Sequence, residues 1–176
     1  MKTALRRGER AMKTREEMER LLERMAVGCL SVSTEDGPYA VAMNYLFHDG
    51  YIYLHGARAG RKTEALARDP RVCFLVHEDG PQVAWDKGCG ISQIYRSVVC
   101  FGKAELVGDA VEKKAILERM IGKYTPGEAA LPALEAGNVG RTAVVRIAIE
   151  SMSGKANELT PAHTVLPGRR SNPPTR

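Results

Sequence analysis

The hairpin signal Asp49-Gly50 and the residues around it constrain the fold most strongly. A type I′ turn needs positive φ at both central positions, and Asp-Gly between two β-favouring runs satisfies that need. The preceding run, 39–47, is largely apolar, and the following run, 51–55, alternates. The sequence therefore predicts two antiparallel strands joined by a tight turn, which excludes a parallel βαβ unit at this point.

The second of these strands runs directly into a glycine turn that carries cations. Gly56 and Gly60 bracket the turn, and Arg61 and Lys62 open a helical stretch that ends before an Asp-Pro pair. Backbone N–H groups and two cationic side chains would then point to one spot, which suits a phosphate. The alternative is that both cations are solvated residues of a surface helix. Cations are unfavourable at a helix N-terminus without an anion, which favours the phosphate site.

Residues 56–63 come close to the phosphate-loop pattern G-x-x-x-x-G-K-[ST] of nucleotide-binding proteins. The spacing fails, because only three residues separate the glycines and Arg61 stands between the second glycine and the lysine. The strand before it also belongs to a hairpin. A phosphate-loop nucleotide site is therefore disfavoured.

Composition and charge narrow the class of protein. The chain has 176 residues with 44% hydrophobic content, typical of one globular domain, and no apolar run long enough for a membrane helix. No secretory signal is visible, so we expect a cytoplasmic protein with no membrane association. Residues 25–154 carry 14 Lys/Arg and 15 Asp/Glu, so the body has no basic field and we expect no nucleic-acid partner.

The cysteines predict no metal site. None of the four forms a C-x-x-C pair, and no His lies beside them at zinc-ligand spacing. Cys29, Cys73 and Cys100 fall within predicted strands, where cysteine acts as a small hydrophobe. Cys89, between two glycines, is expected to be exposed and is the one thiol that could react.

The order of elements predicts a mainly β fold. Thr14 and Glu17 form a capping box for an amphipathic helix over about 14–25, and Asp109 with Glu112 predicts a second helix start. Gly102 predicts a bulge. Six strands are predicted, at 29–33, 39–47, 51–55, 71–77, 93–107 and 142–150. Strands joined mostly by tight turns, the fourth closed by Glu78-Asp-Gly-Pro81, indicate a small antiparallel barrel with flanking helices.

With these elements in order, the chain resembles the FMN-binding split-barrel flavoproteins related to pyridoxamine 5′-phosphate oxidase, and within them the nitroimidazole-resistance (Nim-type) branch. The resemblance covers about residues 10–155. It rests on an ordered set of short motifs: Gly28-Cys-Leu-Ser31, Asp36-Gly-Pro-Tyr-Ala-Val41 with Asn44-Tyr45, Asp49 through Ala57 with Gly60-Arg-Lys62, Asp69-Pro-Arg-Val-Cys-Phe74, Tyr95 through Gly102, and Arg146-Ile-Ala-Ile149 with Gly154-Lys155.

The resemblance implies a six-stranded antiparallel split barrel that forms a homodimer, with one FMN in each of two clefts at the subunit interface. We expect an FMN-binding domain at 1–155. From residue 156 onward proline, polar residues and arginine dominate without apolar periodicity, which predicts a basic, loosely ordered tail at 156–176. Members of the branch often have His where Arg61 stands. Arg61 should serve a phosphate at least as well, since its guanidinium is planar and always charged.

The resemblance also assigns residues to the flavin. Those along the edge of the ring would be Val41, Ala42, Met43, Asn44 and Tyr45. His55 and Gly56 would lie near the ring or ribityl chain, with His55 the one candidate for a catalytic role, and Arg61 and Lys62 would hold the phosphate. Arg96, Ser97 and Val98 would approach from the barrel strand of the same or the other subunit.

These assignments have plain structural alternatives. His55 could be a strand-end histidine bonded to backbone, and a buried Asn44 could find a backbone partner instead of a flavin. Tyr39, Tyr45 and Tyr95 are expected to pack the barrel with a polar tip.

The expected function is inferred from the expected cofactor, FMN. We expect an FMN-dependent oxidoreductase acting on a small molecule, with nitro-aromatic compounds such as nitroimidazoles as candidate substrates. The alternative is a non-catalytic flavin- or haem-binding protein of the same fold. No G-x-G-x-x-G fingerprint for a nicotinamide donor follows any strand. Pyridoxamine phosphate oxidation is disfavoured, because residues 156–176 lack that enzyme's C-terminal substrate-binding segment.

Overall fold

The structure, a computed structural model, describes residues 6–85, 90–125, 127 and 134–167. Seven strands, four α-helices and a short 3₁₀ helix at Gly8–Arg10 make up this part of the chain. In order, they are α1 (Arg15–Arg24), β1 (Val27–Thr34), β2 (Gly37–His48), β3 (Tyr51–Gly56), α2 (Arg61–Arg68), β4 (Arg71–Trp85), β5 (Ile91–Leu106), α3 (Ala110–Tyr124), α4 (Ala136–Arg141), β6 (Ala143–Asn157) and β7 (His163–Val165).

Six of the strands close into an antiparallel ring. They neighbour one another in the order β1-β2-β3-β6-β5-β4, and β1 also pairs with β4, which closes the ring. The predicted six-stranded antiparallel split barrel with flanking helices is therefore confirmed. None of the described helices is long and apolar enough to cross a bilayer.

The local turn and cap signals are confirmed. Asp49 and Gly50 have φ of 50° and 79°, as the predicted hairpin turn requires. Thr14 accepts a hydrogen bond from the Glu17 N–H, and the Glu17 carboxylate reaches back to the backbone of Thr14, so the capping box of α1 is complete. Asp109 likewise accepts from the backbone N–H of Glu112 at the start of α3.

Strand β4 is longer than predicted. The expected turn at Glu78–Pro81 does not end it: the strand passes through a register shift between Asp79 and Gln82 and continues to Trp85. Proline has no backbone N–H and is tolerated at such an irregularity, so the prediction that the strand ends here was wrong. Residues 73–75 of β4 pair with β1, whereas residues 83–85 pair with β7, so the two ends of β4 have different partners.

Strand β6 also continues beyond its predicted end. It runs past Glu150 to Asn157 along β5, and β7 then pairs with the end of β4. The polar sequence after residue 150 conceals this strand, because backbone hydrogen bonds to β5, rather than apolar side chains, extend it. Residues 156–157 and 163–165, expected to belong to a loosely ordered tail, thus pair with the sheet. Residues 168–176 and Cys89 lie outside the described residues.

The barrel interior and α1 share one core. Leu21 and Leu22 of α1 are buried against residues from β1 to β6. The ring of Tyr45 meets that of Phe74 edge-on with centroids 5.0 Å apart. A second apolar cluster joins α3 and α4 to the outside of the barrel, through Tyr53, Ile116, Leu117, Met120, Val139 and Val144.

The predicted bulge at Gly102 is confirmed by a register shift between Phe101 and Gly102 opposite β6. The backbone of β6 approaches closely here, so a Cβ at residue 102 would overlap the carbonyl oxygen of Ala148. Because the obstacle is backbone, it can move away only by disturbing the β5–β6 ladder.

We therefore expect Gly102→Ala to lower the free energy of unfolding by about 1–3 kcal/mol, the usual cost of forcing a methyl group into a packed site. Urea unfolding measures this change. Gly108→Ala is the matched control, since a Cβ at residue 108 meets nothing within 4 Å and its stability should stay within about 0.5 kcal/mol of the parent. Equal stability of the two variants would contradict the bulge geometry.

Candidate functional site

A cavity of about 500 Å³ opens between β2 and the end of β3 where α2 begins. Its lining combines apolar groups, an amide, an imidazole and an ammonium: Tyr39, Val41, Ala42, Met43, Asn44, His55 and Lys62. We call this the flavin-candidate cavity. Six of its seven lining residues are ones that the sequence assigned to the site.

The phosphate end of the site is the turn between β3 and α2. Gly60 is the N-cap of α2, with φ of 119° and no side-chain cap hydrogen bond. The Thr63 hydroxyl donates to the Ala57 carbonyl at 3.3 Å, which closes the turn. The first N–H groups of an α-helix have no partner within the helix, so this uncapped end offers donors and a positive helix dipole to an anion.

Lys62 is the cation inside the cavity. The residue is partly buried, and its Nζ lies 3.7 Å from the Met43 sulfur. A Cβ at Gly56 would stand 2.6 Å from the Nζ, so the absence of a side chain at residue 56 makes room for the ammonium. Burial lowers the pKa of Lys62. No carboxylate of the described residues lies within 4.0 Å of this ammonium.

Arg61 stands at the rim beside Tyr39. Its guanidinium carbon lies 5.4 Å from the centroid of the Tyr39 ring, a cation–π contact that holds the long side chain against β2. Within the described ranges, Arg61 also has no acidic partner within 4.0 Å. Two adjacent cations at a helix start, both without a carboxylate, repel one another and the helix dipole, and an anion would relieve this repulsion.

His55 completes the polar side of the cavity. Burial, followed by the nearby Lys62 ammonium, lowers the pKa of the His55 imidazole. The ring is therefore neutral near pH 7, with one nitrogen able to donate a hydrogen bond and the other able to accept one.

Tyr45 lies away from the cavity. Its side chain is fully buried in the barrel, where the hydroxyl donates to the Leu22 carbonyl at 2.5 Å and burial raises the pKa of the phenol. The prediction that Tyr45 packs the barrel with a polar tip is confirmed. Its backbone N–H donates to the Tyr124 hydroxyl at 2.8 Å, so it is already partnered within the chain.

Strand β5 places Arg96, Ser97 and Val98 outside the flavin-candidate cavity of the same chain. Arg96 pairs with Glu158 at 2.7 Å and with Glu78 at 3.3 Å, and Val98 is buried in the core. Ser97 lies on the ladder between His77 of β4 and Lys155 of β6. The assignment of these residues to a flavin stays a prediction about a second subunit.

Two features of the site were missed from the sequence. Tyr39 was expected only to pack, but the two-residue alternation of β2 puts it on the face of Val41 and Met43, a signal that could have identified it. The role of Lys123, in the last turn of α3, was not predicted. Lys123 Nζ donates to the Met25 carbonyl at 2.8 Å and to the Tyr45 carbonyl at 3.1 Å, and so fixes β2 next to Asn44.

The unpaired charge of Lys62 predicts that this residue lowers the stability of the protein when no anion is bound. We expect Lys62→Met to raise the free energy of unfolding by about 0.5–1 kcal/mol in phosphate-free buffer, because a cation at a helix N-terminus is unfavourable by that order. Urea unfolding at low ionic strength measures it. Arg119→Met, which removes one exposed charge from α3, should change stability by less than about 0.5 kcal/mol. A loss of stability in Lys62→Met would show that the ammonium has a favourable partner.

Comparison with family models matches residues 14–156 to the family described as pyridoxamine 5′-phosphate oxidase. Comparison with curated proteins found no match.

Three of the solved structures that share the fold illustrate the similarity. The flavocytochrome Anf3 from Azotobacter vinelandii has a TM-score of 0.82 at 21% identity, covering 98% of this chain and 87% of its own. The FAD and heme binding protein from Mycobacterium smegmatis has a TM-score of 0.79 at 20% identity, covering 95% of this chain and 89% of its own. A proposed 5-nitroimidazole antibiotic resistance protein from Bacteroides thetaiotaomicron has a TM-score of 0.71 at 24% identity, covering 82% of this chain and 85% of its own. With the family model spanning most of its length, this chain belongs to the pyridoxamine 5′-phosphate oxidase family.

Proposed function

We propose that this chain binds a flavin, FMN, in the flavin-candidate cavity and acts as an oxidoreductase. One observation carries the proposal: Arg61 and Lys62 meet at the uncapped start of α2 with no carboxylate partner among the described residues, beside a cavity with an apolar wall. A compact anion on an apolar body satisfies both halves of that site, and FMN has this form.

The phosphate end fits the chemistry of the turn. Arg61 offers a planar fork of donors, Lys62 a point charge, and the first N–H groups of α2 further donors. The space that Gly56 leaves free lets the Lys62 ammonium lie across the end of β3. Glu64, the acidic residue in the first turn of α2, forms no ion pair with either cation, so an FMN phosphate would supply the negative charge beside them.

The ring end fits the remaining lining. Val41 and Met43 supply apolar contact, while the Asn44 amide and the neutral His55 imidazole can each donate and accept hydrogen bonds. These groups match an aromatic ring with polar atoms along one edge. When bound, a flavin supplies hydride and electron transfer; the chain's residues bind the cofactor, orient it and leave room for a substrate.

A second copy of the chain is part of the proposal. The ladders place Cys29, Ala42, Leu75 and Val99 side by side on the outer face of β1, β2, β4 and β5. Leu75 and the nearby Phe101 are 37% and 52% exposed, which is high for such large apolar groups.

The apolar outer face is continuous with the cavity, since Ala42 belongs to both. A homodimer formed across this face would enclose the cavity and exclude water from it. Residues 96–98 of the partner are then candidates for the far side of the flavin, on condition that Arg96 exchanges Glu78 or Glu158 for the cofactor.

The proposal of an oxidoreductase is supported by the family of this chain, described as pyridoxamine 5′-phosphate oxidase, and by the proposed cofactor. The similar fold from B. thetaiotaomicron is a proposed 5-nitroimidazole resistance protein, which makes nitro-aromatic compounds the first substrates to test. The direct test is steady-state reduction of a nitroimidazole by the FMN-loaded protein with a chemical or nicotinamide reductant. Flavin binding without turnover under any donor would leave a carrier or sensor.

The second candidate is a non-catalytic flavin- or haem-binding protein. It is favoured by the two structures of greatest coverage reported above, whose names include a flavocytochrome and a FAD and heme binding protein. His163 is poorly arranged as an iron ligand, because its Nδ1 accepts the Thr160 backbone N–H at 2.9 Å, which places the ring proton on Nε2. This argues against one of the chain's four histidines as an iron ligand, and flavin is the cofactor we test first.

The phosphate assignment is tested by comparing two flavins. We expect Arg61→Ala combined with Lys62→Ala to weaken FMN binding by at least a hundredfold, since charge-assisted hydrogen bonds contribute roughly 1.5–3 kcal/mol each. Riboflavin, which lacks the phosphate, should bind the parent and the double variant about equally. Fluorescence titration of the apoprotein measures both affinities.

Arg68→Ala is the matched control, because it removes a cation from the far end of the same helix, where Arg68 pairs with Glu35 at 2.9 Å. Its FMN affinity should equal that of the parent. An unchanged FMN affinity in the double variant would place the phosphate elsewhere, and an equal loss for riboflavin would indicate a damaged fold instead of a phosphate site.

A further inference from the structure

A second cavity, of about 960 Å³, shares no lining residue with the flavin-candidate cavity. It lies between the N-terminal segment, the start of β5 and the residues after β6, and its lining includes Arg7, Arg10, Ile91 and Asn157. We call it the terminal cavity. It adjoins a smaller space of about 590 Å³, which extends along α1 and shares four lining residues with it: Glu9, Arg10, Ala156 and Glu158.

The N-terminal segment that carries the arginines is held on the barrel. The Met12 N–H donates to the Gly154 carbonyl of β6 at 3.0 Å, and Ala11 forms a β-bridge with Lys155. The Ala11 N–H also closes the 3₁₀ helix by donating to Gly8 at 3.0 Å. Arg10 therefore sits at a defined place beside the end of β6, where it is partly buried.

The described residues that line the terminal cavity carry a net positive charge. Arg7 and Arg10 have no carboxylate within 4.0 Å in the part of the chain that the structure describes. The acidic residues of the lining are Glu9 and Glu158, and Glu158 is already neutralised by Arg96 at 2.7 Å. Two arginines thus face a single uncompensated carboxylate, and Arg10 loses part of its hydration without gaining an ion pair.

The floor of the terminal cavity is polar at one point and apolar around it. Asn157 is only 5% exposed, and its Nδ2 donates to the Gln93 carbonyl at 2.6 Å and to the Ser92 hydroxyl at 3.2 Å. Within the described residues its Oδ1 receives no hydrogen bond, which leaves an acceptor for a ligand donor. Ile91, 74% exposed, and Ala156 supply apolar surface nearby.

We propose that the terminal cavity binds a small organic anion with an apolar body. A carboxylate or sulfonate would meet Arg10 and Arg7, the apolar body would cover Ile91, and a hydroxyl or amine would donate to Asn157 Oδ1. The volume is within the range of small-molecule sites in proteins, and an exposed isoleucine beside two unpaired arginines matches both halves of such a ligand. No residue lines both cavities, so this proposal does not rest on the flavin proposal. The two meet only at Arg96, because an Arg96 that turned to a partner's flavin would leave Glu158 uncompensated.

The test uses the full chain and the amphiphilic anion 1-anilinonaphthalene-8-sulfonate, whose fluorescence rises in apolar surroundings. We expect one saturable site per chain. Arg10→Gln should weaken binding about tenfold, since it removes a charge-assisted contact, and Ile91→Ser should weaken it several-fold. The matched controls lie on the exposed surface of α3 and should bind like the parent: Arg119→Gln makes the same change as Arg10→Gln, and Val111→Ser likewise replaces an exposed β-branched apolar residue with serine.

Several outcomes would overturn the proposal. Binding that does not saturate, or variants that bind like their controls, would show that the cavity holds no site. Displacement of the probe by one equivalent of FMN would show that the probe binds in the flavin-candidate cavity instead. Equal competition by inorganic phosphate, with no effect of Ile91→Ser, would exclude the apolar half of the ligand. Should circular dichroism show that Arg10→Gln misfolds, the exposed Arg7→Gln takes its place, with the same expected loss.

Discussion

The unpaired positive charge at the start of α2 is the feature on which the functional account depends. Arg61 and Lys62 stand next to one another at the positive end of a helix, and neither has a carboxylate within reach in the described chain. The repulsion between the two cations and their position at the positive end of the helix are each unfavourable. A cation at the positive end of a helix costs roughly 0.3–1 kcal/mol. A bound anion makes them favourable together, which is why we interpret the turn as a binding site instead of a solvated surface.

The barrel supplies the apolar wall of the site and the contacts that position its two cations. Strand β3 ends beside the middle of β2, so the turn faces Val41 and Met43, and Gly56 leaves the space that the Lys62 ammonium crosses. Tyr39 holds Arg61 at the rim through its ring, and α3 holds β2 through Lys123. The same strand, β2, continues the cavity into an apolar outer face, and in our proposal this face connects cofactor binding to association with a second copy.

Much of the fold follows from short-range signals. The Asp49-Gly50 turn, the capping box at Thr14 and the bulge at Gly102 depend on residues only a few positions apart, so the sequence alone could predict them. The cation pair at the start of α2 was predicted for the same reason, because turn, charges and helix start are contiguous.

The remaining features depend on partners distant in the chain. Strand β4 continues past Pro81 because β5 and β7 flank it, and β6 extends to Asn157 because β5 offers a ladder. The engagement of Arg96 by Glu78 and Glu158 was likewise hidden, since 18 and 62 residues separate the partners. No periodicity or spacing in a single sequence encodes such pairings.

The visible absorption spectrum of the purified chain, followed by titration of the apoprotein with FMN, tests the central claim most directly. Our account predicts flavin absorption bands in the isolated protein, or saturable FMN binding by the apoprotein at one flavin per chain. A Soret band with no flavin bands would support the haem alternative instead. A colourless protein that FMN does not titrate would contradict the account, and the cations at the start of α2 would then require a different anion.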